Sequence, residues 1–307
     1  MTGKGRGAEG KPLPSGLLLV DKPAGITSFE VVRRVKRLVR ARKAGHLGTL
    51  DPFATGLLPL ALGEATKLAP HLMGEPKTYR ATLKLGEETD TQDLTGAVTG
   101  RRDRLPAPEA IAAAADRFVG EIEQVPPLYS ALRQQGERLY RLARRGETVE
   151  VKPRRVMIYE LTVEAVDLPR VTLRVRCSAG AYIRTLAQDL GRALGSGAHL
   201  VALRRLAVGP FRIEDAATLE QLAEAGWESR LIAPARCLPD WPALEVGPED
   251  ERRLRRGQPI PLSDPAPPAG ERVRLVAEGR LVALAVVKAA GGGAWAAPTR
   301  LFAAEMK

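Results

Sequence analysis

The sequence contains few of the side chains on which metal, disulfide and redox chemistry depend. Among its 307 residues are only two cysteines, Cys177 and Cys237, and three histidines, His46, His71 and His199. Neither type forms a spaced pattern, which argues against a metal site and against a disulfide framework. So few cysteines are typical of a reduced compartment, and we expect a cytoplasmic protein that binds no metal.

Long apolar stretches and several familiar catalytic motifs are also missing. The longest apolar runs, such as residues 281–287, are far too short to span a bilayer, so we expect no membrane partner. Residues 1–14 have no apolar core and predict a flexible basic tail rather than a signal peptide. The sequence has no G-x-S-x-G elbow, P-loop, H-E-x-x-H motif or zinc-deaminase signature. Carboxylates, tyrosines and arginines therefore remain as the groups most able to carry chemistry.

Positive charge is in excess and is concentrated in two segments. The 47 basic and 36 acidic residues give a formal charge of +11, which favours a polyanionic partner such as nucleic acid. The two segments are residues 33–43 and 133–155. A solvated helix face is the alternative interpretation of the first segment. Because no acidic residue lies between Val31 and Lys43, pairing along the helix does not explain the run, and we favour RNA binding.

The apolar pattern predicts an α+β fold. Residues 16–20 read as a short buried strand, and Thr27 with Glu30 forms a capping box that opens a helix through about Ala41. Apolar and polar residues alternate over residues 79–85, with Tyr79 on the apolar side, which predicts a half-buried strand.

The second half of the chain continues this pattern and then changes. Residues 171–177 predict a strand that leads into a helix ending near Gly195. Between the two halves, residues 126–155 form a basic excursion with a short helix that Gly146 closes. Prolines near residue 240 mark a boundary, after which short strands and tight turns predict a small β-barrel-like module.

The densest motif is GHLGTLDPFATGLLP at residues 45–59. Its three glycines and two prolines impose an irregular backbone that an ordinary core segment does not need. Asp51 lies at its centre, and Pro52 biases it to an extended conformation. An Asx-turn or a helix cap is the simple interpretation of such an Asp-Pro pair. The alternative is a catalytic carboxylate.

This stretch resembles the signature motif of the TruB family of pseudouridine synthases. The resemblance extends in order and spacing from Gly16 to about Asp240, and the last sixty-odd residues are more loosely similar to the RNA-binding PUA module of that family. The other matching segments are GLLLVDKPAGITS (16–28), LGEATK (62–67), YRATLKLGEETDTQDLTG (79–96), PPLYSALRQQGERLYRLARRG (126–146), SAGAYIRTLAQDLG (178–191) and GAHLVALRRLAVGPF (197–211).

The resemblance implies a catalytic domain at residues 15–240 with a mixed, largely antiparallel sheet, followed by a PUA-like domain at residues 241–307. Residues 126–155 match the family's thumb, which folds over RNA, and Arg141, Arg144 and Arg145 within it are candidate contacts to the RNA backbone. The substrate implied is tRNA, with a single uridine at position 55 of the T-loop isomerised to pseudouridine. This reaction is redox-neutral, so we expect no cofactor, and we expect a monomer that needs no protein partner.

The resemblance also assigns roles to individual residues. Asp51 matches the essential nucleophile, Arg184 the arginine that pairs with it, and Tyr79 the tyrosine that stacks on the flipped uracil and helps the C5 proton to leave. A carboxylate can attack the sugar or assist its cleavage, as in glycosidases. The remaining matches are substrate-side residues: His46, which helps to extrude the nucleotide, Tyr182 and Leu203, which line the pocket, and Lys22.

Three alternatives remain open on the sequence. The first is a synthase of the same superfamily that depends on a guide RNA, against which the thumb-like segment argues. The second is a tRNA-folding chaperone, a role that can coexist with catalysis. The third is a generic basic RNA-binding protein, which gives no reason for an intact set of Asp51, Tyr79 and Arg184.

Overall fold

The computed structural model describes residues 14–127, 151–290 and 293–303, together with residues 129, 133–134, 137–138 and 145. The predicted tail, apart from Pro14, lies outside the described residues, as do Arg141, Arg144 and the residues around Gly146 that were predicted to be helical. Arg145 is described as an exposed turn residue. Within the described residues, no helix is both long and apolar enough to cross a membrane.

Alternating apolar residues fold the larger part of the chain around one sheet. The helices of this part are α1 (Ser28–Leu38), α2 (Ala69–Leu72), α3 (Pro108–Asp116), α4 (Ile183–Ala193) and α5 (Leu219–Glu224). Its strands are β1 (Gly16–Lys22), β2 (Ala44–His46), β3 (Thr55–Leu62), β4 (Lys77–Leu85), β5 (Glu87–Thr89), β6 (Val98–Arg101), β7 (Gly120–Gln124), β8 (Arg133–Gln134), β9 (Glu137–Arg138), β10 (Arg154–Asp167), β11 (Arg170–Cys177), β12 (Ala198–Val208) and β13 (Phe211–Arg212).

The strand order of the sheet is β1-β3-β12-β4-β11-β10-β7, with β2 beside β3 and β13 beside β12. The prediction of a mixed, largely antiparallel sheet is confirmed, because among these pairs only β3 and β12 run parallel. That parallel contact is short and consists of Arg204 with Thr55 and Arg205 with Gly56. Gly56 has a φ of +101°, and a Cβ atom there would lie 2.3 Å from the Arg205 carbonyl oxygen. Only glycine fits this contact without displacing the backbone.

The predicted alternation in β4 is confirmed. Tyr79, Ala81, Leu83 and Leu85 are buried and pack against α3 and α4, whereas Arg80 is exposed on the other face. This packing fixes the register of the central strands, because a shift by one residue would turn the apolar side chains outward.

Helix α1 differs from its prediction in two respects. The Thr27 hydroxyl accepts a hydrogen bond from the Glu30 backbone N–H at 3.1 Å, but the Glu30 carboxylate binds Arg33 and Arg34 instead of completing a capping box. An acidic partner one turn earlier therefore neutralises two of the basic residues, which the sequence argument had treated as unpaired. The helix also ends at Leu38 rather than near Ala41, because Arg40 adopts a left-handed conformation with a φ of +54°.

The C-terminal unit is a second sheet that shares a core with the first. Its elements are α6 (Pro248–Arg255) and strands β14 (Ala243–Glu245), β15 (Ile260–Leu262), β16 (Arg272–Ala277), β17 (Arg280–Ala290) and β18 (Gly293–Leu301), in the order β14-β16-β17-β18-β15. Leu284 and Phe302 of this unit are buried in one cluster with Leu17, Leu57 and Leu68. The strands predicted at residues 272–277 and 280–287 are present. The module shares this apolar cluster with the main sheet, so the two sheets pack against each other.

Candidate active site

A cavity of about 390 Å³ opens where β4, β11 and β12 meet the first turn of α4. Its volume lies in the range of about 300–1,000 Å³ that is typical of ligand sites. Five residues singled out from the sequence line it, namely Asp51, Tyr79, Tyr182, Arg184 and Leu203. The rest of the lining consists of Gly48, Thr49, Leu50, Met73, Lys77, Ser178, Ala179, Gly180, Ala181, Ile183 and Arg205.

Asp51 and Arg184 form an ion pair at the wall of this cavity. Arg184 Nε lies 3.0 Å from Asp51 Oδ2, and Nη2 lies 3.5 Å from Oδ1, so the guanidinium faces both carboxylate oxygens. The Arg184 side chain is 5% exposed, whereas that of Asp51 is 32% exposed. The arginine is thus part of the protein interior, and the carboxylate remains accessible from the cavity.

Arg184 is held by a second carboxylate that the sequence argument did not identify. Asp93 is buried, and its Oδ2 lies 3.4 Å from Arg184 Nη1. The other oxygen of Asp93 accepts hydrogen bonds from the Thr91 hydroxyl at 2.8 Å and the Thr95 backbone N–H at 2.9 Å. Arg184 also donates to the Thr91 and Tyr129 carbonyl oxygens. Asp93 lies within the matching segment 79–96, but nothing in its spacing marks it as a partner of Arg184.

The charges around Asp51 work in opposite directions. Burial raises the pKa of Asp51 above its usual value, and Asp93 adds to this increase. Arg184 and Lys22 oppose it. Because one guanidinium serves two carboxylates, Arg184 orients Asp51 without cancelling its negative charge fully.

The loop that carries Asp51 is fixed by side chains from two neighbouring elements. Lys22 is fully buried, and its ammonium donates to the carbonyl oxygens of Pro23, Pro52 and Ala54 at 2.9, 3.2 and 2.7 Å. The Ser28 hydroxyl, at the start of α1, both donates to and accepts from the backbone of Leu50. Lys22 therefore lies beneath the loop, which differs from the substrate-side position that the resemblance implied.

Arg205 supports the other side of the same loop. It is 1% exposed and donates from Nε to the Leu57 carbonyl at 2.7 Å and from Nη2 to the Gly48 carbonyl at 3.0 Å. It lies beside Tyr79. Burial raises the pKa of Tyr79 above its usual value, so the phenol is protonated at neutral pH. Within the cavity, Arg205 and Lys77 are cations that the sequence argument did not select. Only their positions in the folded sheet bring them to the site.

His46 lies just outside the cavity lining, at the end of β2. Burial lowers the pKa of His46, and the charge of Arg205 lowers it further, so the imidazole is neutral at pH 7. Its buried Nδ1 has no hydrogen-bond partner among the described residues.

Tyr182 lies at the start of α4 and is positioned through its backbone. Gln124 at the end of β7 accepts a hydrogen bond from the Tyr182 N–H at 2.9 Å and donates to its carbonyl at 3.2 Å. Tyr182 and Arg184 therefore enter the cavity from one fixed turn, while Asp51 enters from the opposite loop. In the described residues, no group of three or more histidine, cysteine or acidic side chains is arranged to bind a metal.

Two family models match most of the main sheet. One, described as the N-terminal domain of TruB family pseudouridylate synthases, matches residues 36–183. The other, described as a tRNA pseudouridylate synthase B C-terminal domain, matches residues 184–236. The boundary between the two falls beside Arg184, so the two matched segments contribute opposite members of the Asp51–Arg184 pair.

Curated relatives and solved structures agree with this match. The chain is 50% identical to the tRNA pseudouridine synthase B of Ralstonia nicotianae over 93% of both chains, and 45% identical to that of Geobacter sulfurreducens over 93% and 96%. A structure described as an H/ACA RNP bound to a substrate RNA containing 2′-deoxyuridine superposes with a TM-score of 0.71 at 26% identity, covering 94% of this chain and 86% of that one. A Cbf5–Nop10–Gar1 complex gives 0.69 at 27%, covering 93% and 84%. The chain therefore belongs to the TruB family of pseudouridine synthases.

Proposed function

We propose that this protein converts the uridine at position 55 of the tRNA T-loop to pseudouridine, with Asp51 as the nucleophile. The observation that carries the proposal is the Asp51–Arg184 ion pair at 3.0 Å, with the carboxylate open to the cavity and the guanidinium buried. The relatives named tRNA pseudouridine synthase B match almost end to end at 45–50% identity, which supports tRNA as the substrate.

The reaction needs only acid–base and nucleophilic chemistry. The N1–C1′ bond breaks, the uracil turns, a C5–C1′ bond forms, the C5 proton leaves, and N1 gains a proton. Atoms and electrons balance within the nucleotide, so no cofactor is required. An ionised carboxylate can attack C1′, attack C6 of the uracil or assist the cleavage. Each of these routes requires the negative charge that Arg184 orients.

The remaining lining residues fit the handling of a flipped base. We assign Tyr79 to stacking on the uracil beside C5, and Tyr182 and Leu203 to the walls that hold the base. His46, at the entrance, is assigned to extruding the nucleotide, because the reacting atoms are inaccessible in a folded T-loop. Lys22 acts by positioning the Asp51 loop, since two of its three hydrogen bonds go to the Pro52 and Ala54 carbonyls of that loop.

The rest of the chain is assigned to RNA binding. We retain the division into a catalytic domain at residues 15–240, a PUA-like RNA-binding domain at residues 241–307 and a thumb at residues 126–155. The thumb supplies Arg141, Arg144 and Arg145 as backbone contacts. We further propose a cytoplasmic monomer that acts without a protein partner.

A guide-dependent enzyme is the main alternative, because the matching RNP and Cbf5 structures are described as complexes. The relatives named tRNA pseudouridine synthase B are closer in sequence, at 45–50% identity against 26–27% for the structures, and this favours direct recognition of tRNA. A tRNA-folding chaperone role is compatible with either, since it needs binding and not the carboxylate.

The test is tritium release from T-arm RNA labelled at C5 of uridine, with purified protein and no guide RNA. Release is expected with the wild-type protein, also in excess chelator, and none is expected with Asp51→Asn. Release that requires a guide RNA or zinc would overturn the proposal, as would near-normal release by Asp51→Asn. Refolding of tRNA by Asp51→Asn would separate a chaperone role from catalysis.

A further inference from the structure

Helix α1 and the turn after it carry five exposed cations that form no ion-pair contact with an acidic side chain in the described part of the chain. These five residues, which we term the basic strip, are Lys36, Arg37, Arg40, Arg42 and Lys43. By contrast, Arg33 and Arg34 on the preceding turn bind Glu30 at 2.8 and 3.1 Å. Lys43 lies beside Glu64, because its carbonyl accepts a hydrogen bond from Gly63, but Glu64 is already bound to Lys67 at 2.6 Å.

The demands of the fold account for only part of this charge. The opposite face of α1 packs into the core through Val31, Val32, Val35 and Val39, so the strip is held on the outer surface. Lys36 and Arg37 lie in the last turn of the helix, where positive charge offsets the helix dipole. Arg42 and Lys43 follow the helix and gain nothing from that effect. Their charge must serve another purpose or remain solvated.

The basic strip is connected directly to the active-site cavity. Strand β2 runs from Ala44 to His46, and Gly48 and Thr49 already line the cavity. At about 3.3 Å per residue, the five residues from Lys43 to Gly48 span at most about 17 Å. One strand of a nucleic acid helix rises about 3.4 Å per phosphate, so this path corresponds to roughly five nucleotides. A Cβ atom at Gly45 would meet no other atom within 4 Å, so the surface between is open.

We propose that the basic strip binds the phosphate backbone of the RNA strand that leaves the active-site cavity along β2. The proposal rests on the function proposed above and adds a contact surface to it. No phenylalanine, tyrosine or tryptophan lies between residues 30 and 49, which favours phosphate contacts over base stacking. Such contacts set the register of the RNA on the protein but do not read its sequence.

Two double variants test the proposal in the Asp51→Asn background, which allows binding to be measured without turnover. Arg42→Gln/Lys43→Gln removes two unpaired cations, and Arg33→Gln/Arg34→Gln removes two that are paired with Glu30. The change in net charge is the same. For T-arm RNA, the first variant should weaken binding and lower the slope of log K against log salt by about 1.4 to 1.8, at 0.7 to 0.9 per lost contact. The second should bind nearly as the parent does.

If the plot of log K against log salt for Arg42→Gln/Lys43→Gln superimposed on that of the parent, the proposal would be overturned. Equal weakening by both variants would also overturn it, because net charge alone would then explain the effect. If Arg42→Gln/Lys43→Gln lost binding to an acidic protein or an anionic vesicle but kept its binding to RNA, the strip would serve another partner and the proposal would also be rejected.

Tritium release with Asp51 restored separates this proposal from the function on which it rests. Arg42→Gln/Lys43→Gln should raise KM several-fold while turnover at saturating RNA is retained, and Arg33→Gln/Arg34→Gln should change neither. If the wild-type protein releases no tritium, the proposed function fails whatever the binding lines show. If it releases tritium and KM is unchanged in the first variant, only the basic strip is rejected.

Discussion

Arg184 gives hydrogen bonds or ion pairs to four groups, two of them carboxylates and two of them backbone carbonyls. With its donors directed to fixed partners, the guanidinium cannot follow a substrate, and its effect on Asp51 is one of orientation and charge. Asp51 is therefore the member of the set that is free to react. The buried Asp93 keeps part of the positive charge of Arg184 away from it.

The first prediction concerns the pH dependence of kcat/KM. The proposed nucleophile Asp51 acts in its ionised form, so kcat/KM should fall as pH drops through the pKa of this group. Because burial raises that pKa, the acid limb should lie above the usual range for an aspartate. Arg184→Gln removes a charge that lowers the pKa and should move the limb to higher pH. Asp93→Asn removes a charge that raises it and should move the limb to lower pH. Shifts of equal sign in the two variants would contradict this network.

A second prediction separates a catalytic from a structural Tyr79. Tyr79→Phe keeps the buried ring and removes only the hydroxyl, so the fold and the affinity for RNA should change little. If the hydroxyl acts on the uracil, single-turnover tritium release should slow by at least about tenfold, which is about 1.4 kcal/mol in the barrier. A rate within twofold of the wild type would show that the hydroxyl takes no part in the chemistry and would leave Tyr79 with the packing and stacking of its ring.

At the residue scale, the sequence led to Asp51, Tyr79 and Arg184 only through their motifs. Asp93 and Arg205 were missed because a single sequence does not report which buried charges approach one another across the fold. Asp93 lies in the loop between β5 and β6, where an aspartate is usually exposed to solvent. Arg205 lies in β12, and an arginine in a strand is usually exposed as well. Lys22 was selected from the sequence, but its burial was not predicted, because a lysine next to a turn gives no sign that its ammonium points into the protein.

At the scale of elements, the loop between β2 and β3 depends on supports that lie outside it. Lys22 is the central one, because its ammonium donates to the Pro52 and Ala54 carbonyls, which follow Asp51 in this loop, as well as to the Pro23 carbonyl. An unsatisfied buried polar group costs about 1–3 kcal/mol. The geometry of the Asp51 carboxylate is therefore set partly by the end of β1.

The third prediction follows from this support. Lys22→Met has a similar length but leaves the Ala54 carbonyl without the Lys22 donor, whereas the Pro52 carbonyl keeps its hydrogen bond from the Gly25 N–H. The protein should therefore lose about 1–3 kcal/mol of unfolding free energy. Turnover should fall while KM changes less. The matched control is Lys288→Met, which replaces an exposed lysine of β17 and should leave stability and turnover close to wild type. Chemical denaturation and tritium release measure both effects. A stable and active Lys22→Met protein would reject the support role.

The elements themselves were largely predictable, because alternation and helical spacing are strong signals in β4, β11 and α1. The end of α1 was not predicted, since its termination depends on the left-handed conformation of Arg40 rather than on a glycine or a proline. The pairing of Arg33 and Arg34 with Glu30 was not predicted, because Glu30 lies one residue before the segment from Val31 to Lys43 that contains no acidic residue.

At the scale of the whole molecule, the two sheets are joined by apolar packing and by polar contacts. The Lys67 ammonium donates to the Leu301 carbonyl at 2.9 Å, and the Glu64 carboxylate accepts from the Ala303 N–H at 2.7 Å. The apolar run at residues 281–287 already contained a sign of this, because a strand that is apolar on both sides is covered on both faces. The prolines near residue 240 predicted a domain boundary and favoured a separate module, although the apolar run indicated contact with the main sheet.

The fourth prediction is that the two sheets unfold together. Leu284 is fully buried in the cluster shared by both units, and Leu275 is fully buried in the cluster of the C-terminal unit alone. Leu284→Ala and Leu275→Ala should each cost about 2–5 kcal/mol. In both variants the loss of tRNA binding and the loss of secondary structure should coincide in one denaturation transition. A separate early transition of the C-terminal unit in Leu275→Ala would show that the units unfold independently.

The short parallel contact between β3 and β12 has a consequence for how the enzyme could be divided. Asp51 belongs to the block formed by β1, β2 and β3, whereas Tyr79 and Arg184 belong to the block that contains β4 and β12. Between the described strands of the two blocks, two residue pairs form the β3–β12 contact, and at one of them Gly56 allows the backbones to touch. Backbone bridges from β1 to Ala217 and Ile232 add to this connection. Catalytic activity thus reports directly on the docking of two fragments of the chain. Expressed as separate polypeptides cut between Leu72 and Lys77, the two blocks would form a complementation reporter, in which pseudouridine in tRNA records that the fragments have met.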